Sequence, residues 1–466
     1  MILPQMLQIA ALRTAYDKGE LTPAQLVEEV LGRVAAYADP AVWISRVADV
    51  DVRSRAAALT ADPTAPRLPL YGIPFAVKDN IDAEGLDTTA ACPAFAYRPR
   101  QSATVVQRLL DAGAILIGKT NLDQFATGLV GARSPYGAPR CVFDDRYVSG
   151  GSSSGSAVAV AAGLVSFALG TDTAGSGRVP AGFNNLVGIK PTRGLLSTTG
   201  VVPACRSLDC VSVFAASAGD ACDVSKVAAG FDVTDAYSRR GAAHPLPSRG
   251  LRFGILLPAD REFGGDAEAE ALYDSAIARL TALGGEAIPF DYGPFREAAS
   301  LLYGGPYVAE RLAPIREFFG AHAEDMDPTV RDIIGAANAF SAADVFSAQY
   351  RLQALIRVTA PEWQRFDVML LPTSPTIVSI EALAAEPVRL NSLLGTYTNF
   401  VNLLDLCAIA VPGGFRASNG LPFGVTLIAP AFADTALAGV ADRLHRSLGE
   451  GAGLSREALA ASPLVT

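Results

Sequence analysis

Ala103-Thr104-Val105-Val106-Gln107-Arg108-Leu109-Leu110-Asp111-Ala112-Gly113-Ala114-Ile115-Leu116-Ile117 is the stretch that decides the fold. Residues 103–112 read as a helix, Gly113 breaks it, and Ala114–Ile117 reads as an apolar strand. The same helix-to-strand step recurs at Ala267–Leu283 followed by Glu286–Phe290. Further strands are expected at Arg252–Leu257, Val368–Leu371 and Gly424–Ile428. Helices alternating with apolar strands imply an α/β layer structure with a buried, mixed sheet. Upstream, Thr22 is a helix N-cap, with Pro23 at the first helical position and Gln25 three residues after the cap. Leu26, Val27, Val30, Leu31 and Val34 follow at helical spacing, so this helix should be amphipathic and lie on the outside.

The chain has 466 residues, half of them hydrophobic and 18% charged, and no linker, charge block or repeat divides it. One large domain is expected over 1–466, with an N-terminal helical segment to about 65, a core over about 66–450 and no separate C-terminal domain. A net charge of −9 gives no basis for binding nucleic acid or an anionic membrane. Apolar runs such as Ala157–Leu169 are broken by glycine and fall short of the roughly 20 residues a membrane helix needs. Six cysteines, Cys92, Cys141, Cys205, Cys210, Cys222 and Cys407, show no pairwise spacing, and there is no signal-peptide pattern at the N-terminus. A reducing cytoplasm is the simplest expectation.

Two glycine-rich, serine-bearing stretches carry the chemistry: Ser149-Gly150-Gly151-Ser152-Ser153-Ser154-Gly155-Ser156 and Gly170-Thr171-Asp172-Thr173-Ala174-Gly175-Ser176-Gly177-Arg178. Lys78-Asp79-Asn80 lies upstream. A reacting serine must be reached by substrate while backbone N–H groups face the developing oxyanion, and small residues let the chain bend that closely. Lysine can serve as proton acceptor once burial and nearby positive groups disfavour its ammonium form. Lys78 follows the apolar run Ile73-Pro74-Phe75-Ala76-Val77, which is consistent with burial. The small, apolar stretch after Ala157 reads as a fully buried helix whose N-terminus aims at the site.

These elements resemble the amidase signature family. The resemblance runs from Pro69–Asn80 through Gly118-Lys119-Thr120-Asn121-Leu122-Asp123-Gln124-Phe125-Ala126 to Gly188-Ile189-Lys190-Pro191-Thr192-Arg193-Gly194, and continues more weakly towards the C-terminus. It implies a large twisted sheet of mixed direction covered by helices on both faces. It also implies Ser176 as nucleophile, Ser152 as a bridging serine after a cis peptide bond, and Lys78 as general base. The backbone N–H groups of Thr173, Ala174, Gly175 and Ser176 would form the oxyanion hole, with Asp172, Arg178 and Ser153 in support. Ser154 and Ala174 stand where the family usually has glycine, which alters no reacting group.

Residues 127–137 and 302–311 resemble the allophanate hydrolase subgroup, which implies that Tyr303, Arg311 and Gly128 bind the substrate, the first two through its carboxylate. A guanidinium fork and a phenol suit that anion; from the residues alone, Tyr303 would be core and Arg311 a surface ion-pair member. The resemblance implies hydrolysis of a small carboxylated urea without cofactor, by a chain that is commonly a homodimer among relatives. The chain stops soon after the amidase region, so any step belonging to the further C-terminal domain that such enzymes often carry would be missing. An amidase for another small amide, a glutaminase subunit of a transfer-RNA amidotransferase and a noncatalytic scaffold are the other classes considered.

Two rival motifs occur. Gly113–Thr120 satisfies the phosphate-loop pattern G-x-x-x-x-G-K-[ST], but its interior is an apolar strand preceded by a helix, the wrong context for wrapping phosphates. Gly151–Gly155 fits G-x-S-x-G, which would make Ser153 a nucleophile served by a histidine. His244, His322 and His445 have no motif around them, and all three read as surface histidines. Cys205 and Cys210 lack partners at metal-ligand spacing and read as buried thiols; no metal is expected.

Overall fold

The computed structural model describes residues 3–455 and 457–460. Eleven strands form one sheet. From one edge to the middle they are Trp43–Arg46, Ile115–Thr120, Pro74–Lys78, Phe167–Asp172, Cys210–Ala215 and Val187–Lys190. The sheet continues with Leu406–Phe415, Pro422–Pro430, Val368–Pro372, Arg252–Leu256 and Glu286–Phe290 at the far edge. Pro74–Lys78 runs parallel to both its neighbours, and Arg252–Leu256 does likewise, while the pairs through the middle are antiparallel. The sheet is therefore mixed, as expected, and helices cover both faces.

Burial explains the strand sequences. Pro74–Lys78, Phe167–Asp172, Val187–Lys190 and Cys210–Ala215 are buried at every position, because helices lie over both faces and leave no side for polar alternation. The two edge strands are only partly buried. Expected and observed boundaries agree closely: the helix Thr104–Asp111 leads into Ile115–Thr120, and Ala267–Ala282 into Glu286–Phe290. The N-terminal segment holds three helices, Ile9–Asp17, Pro23–Ala36 and Asp49–Ala61, and also the edge strand Trp43–Arg46, which was not anticipated. With four residues, that strand has too short a period to read in sequence.

Helix Pro23–Ala36 begins with the anticipated capping box: Thr22 Oγ1 accepts from the Gln25 N–H, and Gln25 Oε1 accepts from the Thr22 N–H at 2.9 Å. Leu26, Val27, Val30, Leu31 and Val34 are buried, each such side chain contributing about 1.5–3 kcal/mol. Helix Ser154–Ala161, by contrast, is buried on every face. Its small residues let it approach neighbouring backbone closely. A Cβ on Gly155 would lie 2.7 Å from the Asn121 nitrogen and would also meet the Val42 carbonyl oxygen. Alanine is about 1 kcal/mol better than glycine in a helix interior, yet Gly155→Ala should destabilise the protein by about 1–3 kcal/mol through overpacking. Urea unfolding midpoints of the two proteins check this, and a gain in stability would contradict the packing.

Candidate active site

Lys78 ends the strand Pro74–Lys78, and Thr171 lies near the end of the parallel neighbour Phe167–Asp172. Lys78 is wholly buried, with Nζ 2.7 Å from Ser152 Oγ and 2.7 Å from Thr171 Oγ1. Asn80 Nδ2 also donates to Thr171 Oγ1, at 3.3 Å. Burial pushes the Lys78 amine down to about 7, because no water solvates its charge. Asp123, Asp209 and Asp172 oppose that shift and Arg311 assists it, so desolvation rather than a positive neighbourhood is the main cause. Lys119, on the adjacent strand, is equally buried but faces Asp79 at 3.2 Å.

The peptide bond Gly151–Ser152 is cis, and the buried helix starts two residues later at Ser154. Ser153 Oγ is occupied by the Thr171 backbone, donating to its carbonyl and accepting from its N–H. That bonding fits a supporting position. Among the described residues none of the three histidines bonds to a serine: His322 Nδ1 lies 3.0 Å from Asp325 Oδ2, and His244 is exposed. His445 corrects an expectation. It is fully buried in helix Asp434–Ser447, its ring nitrogens have no side-chain partner among the described residues, and burial pushes its pKa down to about 4. The six cysteines are all buried and free.

Ser176 is buried in the turn between the Phe167–Asp172 strand and the helix Val179–Phe183. Its Oγ lies 3.5 Å from the Gly128 carbonyl oxygen, a long contact. The N–H groups of Thr173, Ala174, Gly175 and Ser176 find no acceptor among the described residues, so four consecutive donors stay free at this turn. Asp172 and Arg178 fix the turn. Asp172 Oδ2 accepts from Arg178 Nε at 2.9 Å and from the Gly177 N–H at 2.9 Å, while Oδ1 accepts from Arg178 Nη2 at 3.0 Å. Arg178 also donates to the Thr398 carbonyl, and Asn402 Nδ2 donates to the Asp172 and Leu208 carbonyls. At Gly175, with φ +157°, a Cβ would sit 2.8 Å from Thr398 Cβ, so glycine is required by contact.

The Gly128 turn is held from three sides. Asp123 accepts from the N–H groups of Val130, Gly131 and Arg133. The Leu129 carbonyl accepts from the Gly151 N–H at 2.8 Å, and Asn391 Oδ1 accepts from the Leu129 N–H at 2.8 Å. Arg311 comes to the same region and is buried, not on the surface. Its Nη2 donates to Tyr303 Oη at 2.9 Å and Nη1 to Thr127 Oγ1 at 3.1 Å, and its guanidinium carbon lies 4.9 Å above the Tyr303 ring centre. No carboxylate pairs with it among the described residues, and its Nε has no partner. Tyr303 borders two cavities of about 640 and 680 Å³.

Sequence reasoning missed Thr171, Asn80, Asp123, Asp209, Asn391 and Asn402. Asp209 accepts from Thr173 Oγ1 at 2.5 Å and from the N–H groups of Ala204 and Cys205, and burial pushes its carboxyl up to about 6. Thr171, Asn80 and Asp123 stood inside quoted motifs; Asp209, Asn391 and Asn402 lie outside them, with no local signal. Among the described residues no group of three His, Cys, Asp or Glu side chains could hold a metal ion, and no helix is long and apolar enough to cross a membrane.

Asp172 and Arg178 are both fully buried, so removing one partner strands a charge. Arg178→Leu should cost about 3–5 kcal/mol, and Asp172→Leu/Arg178→Leu less than the sum of the two single changes. Denaturant titrations of the three variants check this; additive losses would mean the pair is not coupled.

Comparisons with known proteins agree with this architecture. The urea amidolyase of Lachancea kluyveri is 49% identical over 435 residues, 92% of this chain but 24% of that protein, so the chain spans about a quarter of its relative's length. The crystal structure of Kluyveromyces lactis allophanate hydrolase is 43% identical with a TM-score of 0.91, covering 98% of this chain and 76% of that one. A glutamyl-tRNA(Gln) amidotransferase subunit of Symbiobacterium thermophilum is 36% identical, covering 94% of this chain and 96% of that protein. The family described as Amidase matches residues 25–438. With the match extending over most of the chain and the sheet and its serine-bearing turns in place, this protein belongs to the amidase family.

Proposed function

We propose that this chain hydrolyses allophanate, urea-1-carboxylate, to N-carboxycarbamate and ammonia, the former breaking down to carbon dioxide and a second ammonia. The observation that carries the substrate is Arg311. It is a buried guanidinium, stacked on Tyr303, with no carboxylate among the described residues at ion-pair distance; Asp209 and Glu310 act on it only from further off. Burying an unpaired charge is costly, and an anionic ligand offsets that cost with charge-assisted hydrogen bonds. The similarity to urea amidolyase and allophanate hydrolase supports a carboxylated urea as that ligand.

In this reading Ser176 Oγ attacks the terminal amide carbonyl. Its proton passes to Ser152, whose own proton moves to the neutral amine of Lys78, 2.7 Å away. The tetrahedral oxyanion accepts from the free N–H groups of residues 173–176, which need no reorganisation because Asp172, Arg178 and Asp209 already fix the turn. Ammonia leaves with the proton returned along the same path. Water then attacks the acyl-enzyme, giving its proton to Ser152 and Lys78, and Ser176 is released. Tyr303, Arg311 and Gly128 hold the substrate. The enzyme would be a cytoplasmic homodimer in nitrogen use from urea or triazines.

The near-complete overlap with the amidotransferase protein supports a second reading, a glutaminase delivering ammonia to a partner. One assay separates the two. Purified protein is expected to release ammonia from allophanate but not from glutamine, biuret or malonamide, and Ser176→Ala is expected to abolish the release. Ammonia from glutamine alone would establish the second reading, and residual turnover in the variant would remove Ser176 from its role.

The amine of Lys78 accepts a proton only when neutral, and burial sets its pKa at about 7. Because that value lies below the ordinary lysine range, the active form is present above pH 7 and is lost as pH falls. kcat/KM should therefore drop about tenfold per pH unit below about 7 and level off above it. A profile flat across that range would exclude Lys78 as the base.

A further inference from the structure

Asn391 lies in the helix Arg389–Leu394 and is 5% exposed. Its Oδ1 accepts from the Leu129 N–H at 2.8 Å. An N–H can bond only to the oxygen, so that contact fixes which way the amide points. The NH2 group is turned away from Leu129 and makes no hydrogen bond to another described residue. Asn391 lines both cavities that meet at Tyr303.

Four residues border both cavities: Tyr303, Gly304, Asn391 and Ser392. Ser392 spends its hydroxyl on the Val388 carbonyl at 2.9 Å, and Gly304 has no side chain. Tyr303 Oη accepts from Arg311, which leaves its own hydrogen free to donate. The shared wall therefore offers two free donors, the Tyr303 hydroxyl and the Asn391 amide, with a guanidinium behind the first. Asp260 and Glu262 line one cavity and Asp332 the other, but at the shared wall the two free groups are donors, and an acceptor-only group such as a carboxylate matches them.

We propose that Asn391 is a specificity-determining residue whose side-chain NH2 donates to the carboxylate of the substrate while its Oδ1 holds the Gly128 turn. The assignment rests on the carboxylated-urea reading above. It gives Asn391 two jobs on one amide. The oxygen fixes the turn whose Gly128 carbonyl touches Ser176, and the nitrogen selects the ligand's charged end. Correct seating of the carboxylate and correct placement of the nucleophile are thereby tied to the same side chain.

Asn391→Asp separates the two jobs, because a carboxylate of the same size still accepts from the Leu129 N–H but replaces the donor with a negative oxygen. The probes are malonamate and malonamide, which differ only in a carboxylate against an amide, titrated calorimetrically into Ser176→Ala so that no turnover intervenes. Ser176→Ala is expected to prefer malonamate. In Ser176→Ala/Asn391→Asp that preference should fall at least about tenfold, the loss expected when a hydrogen bond to a charged group is removed. An unchanged affinity ratio overturns the proposal, whether both ligands weaken together, as bracing of the turn alone would give, or neither does. If Ser176→Ala itself shows no preference for malonamate, the carboxylated-urea reading fails first and the assignment of Asn391 falls with it.

Discussion

The burial of Lys78 between two hydroxyl oxygens, with no carboxylate among the described residues within bonding distance, is the constraint on which the site depends. The sheet holds a ready comparison. On the neighbouring strand Lys119 is just as buried, but Asp79 lies beside it and Thr88 Oγ1 accepts a hydrogen bond from it, so its charge is answered within the protein. Lys78 instead meets neutral oxygens, and the carboxylates of Asp123, Asp209 and Asp172 act on it only from a distance. One position of difference between adjacent parallel strands thus separates a structural ion pair from an amine able to exist neutral near pH 7.

Keeping that amine dry requires a rigid surround, and the chain supplies it through buried polar contacts rather than through apolar packing alone. Asp172 and Arg178 cross the turn that carries Ser176, and Asn402 and Thr398 tie the pair to a segment more than 200 residues away. Asp123 gathers three N–H groups of the Gly128 turn, while Gly151 and Asn391 hold its other sides. A buried pair of this sort adds little net stability. Its contribution here is geometric: it fixes the turn in which the four N–H groups of residues 173–176 find no acceptor among the described residues.

Where sequence reading succeeded, the signal was local. The capping box at Thr22, the helix-to-strand steps at Gly113 and near residue 284, and the buried helix after Ser152 each follow from periods or caps within about a dozen residues. His445 fails for an equally physical reason. Helix Asp434–Ser447 is amphipathic, but Asp442 and His445 both lie on its buried side, and a polar side chain facing inward is indistinguishable from an outward one when only spacing is read. Arg311 was likewise placed on the surface by residue type, because arginine is almost never fully buried without a partner.

The sequence alone determined the α/β layers, the two glycine-rich serine turns and the lysine that follows an apolar strand, since each depends on neighbours along the chain. It could not show that Thr171 would share Lys78 with Ser152, that Asp209 would lock Thr173, or that Asn391 would meet Leu129 across 262 positions. Those contacts join segments remote in the chain, and no local propensity encodes them. The tertiary structure also decided the two charges that matter most, burying Lys78 where it loses its solvation and Arg311 where no carboxylate among the described residues comes to ion-pair distance, because desolvation is a property of the packed whole.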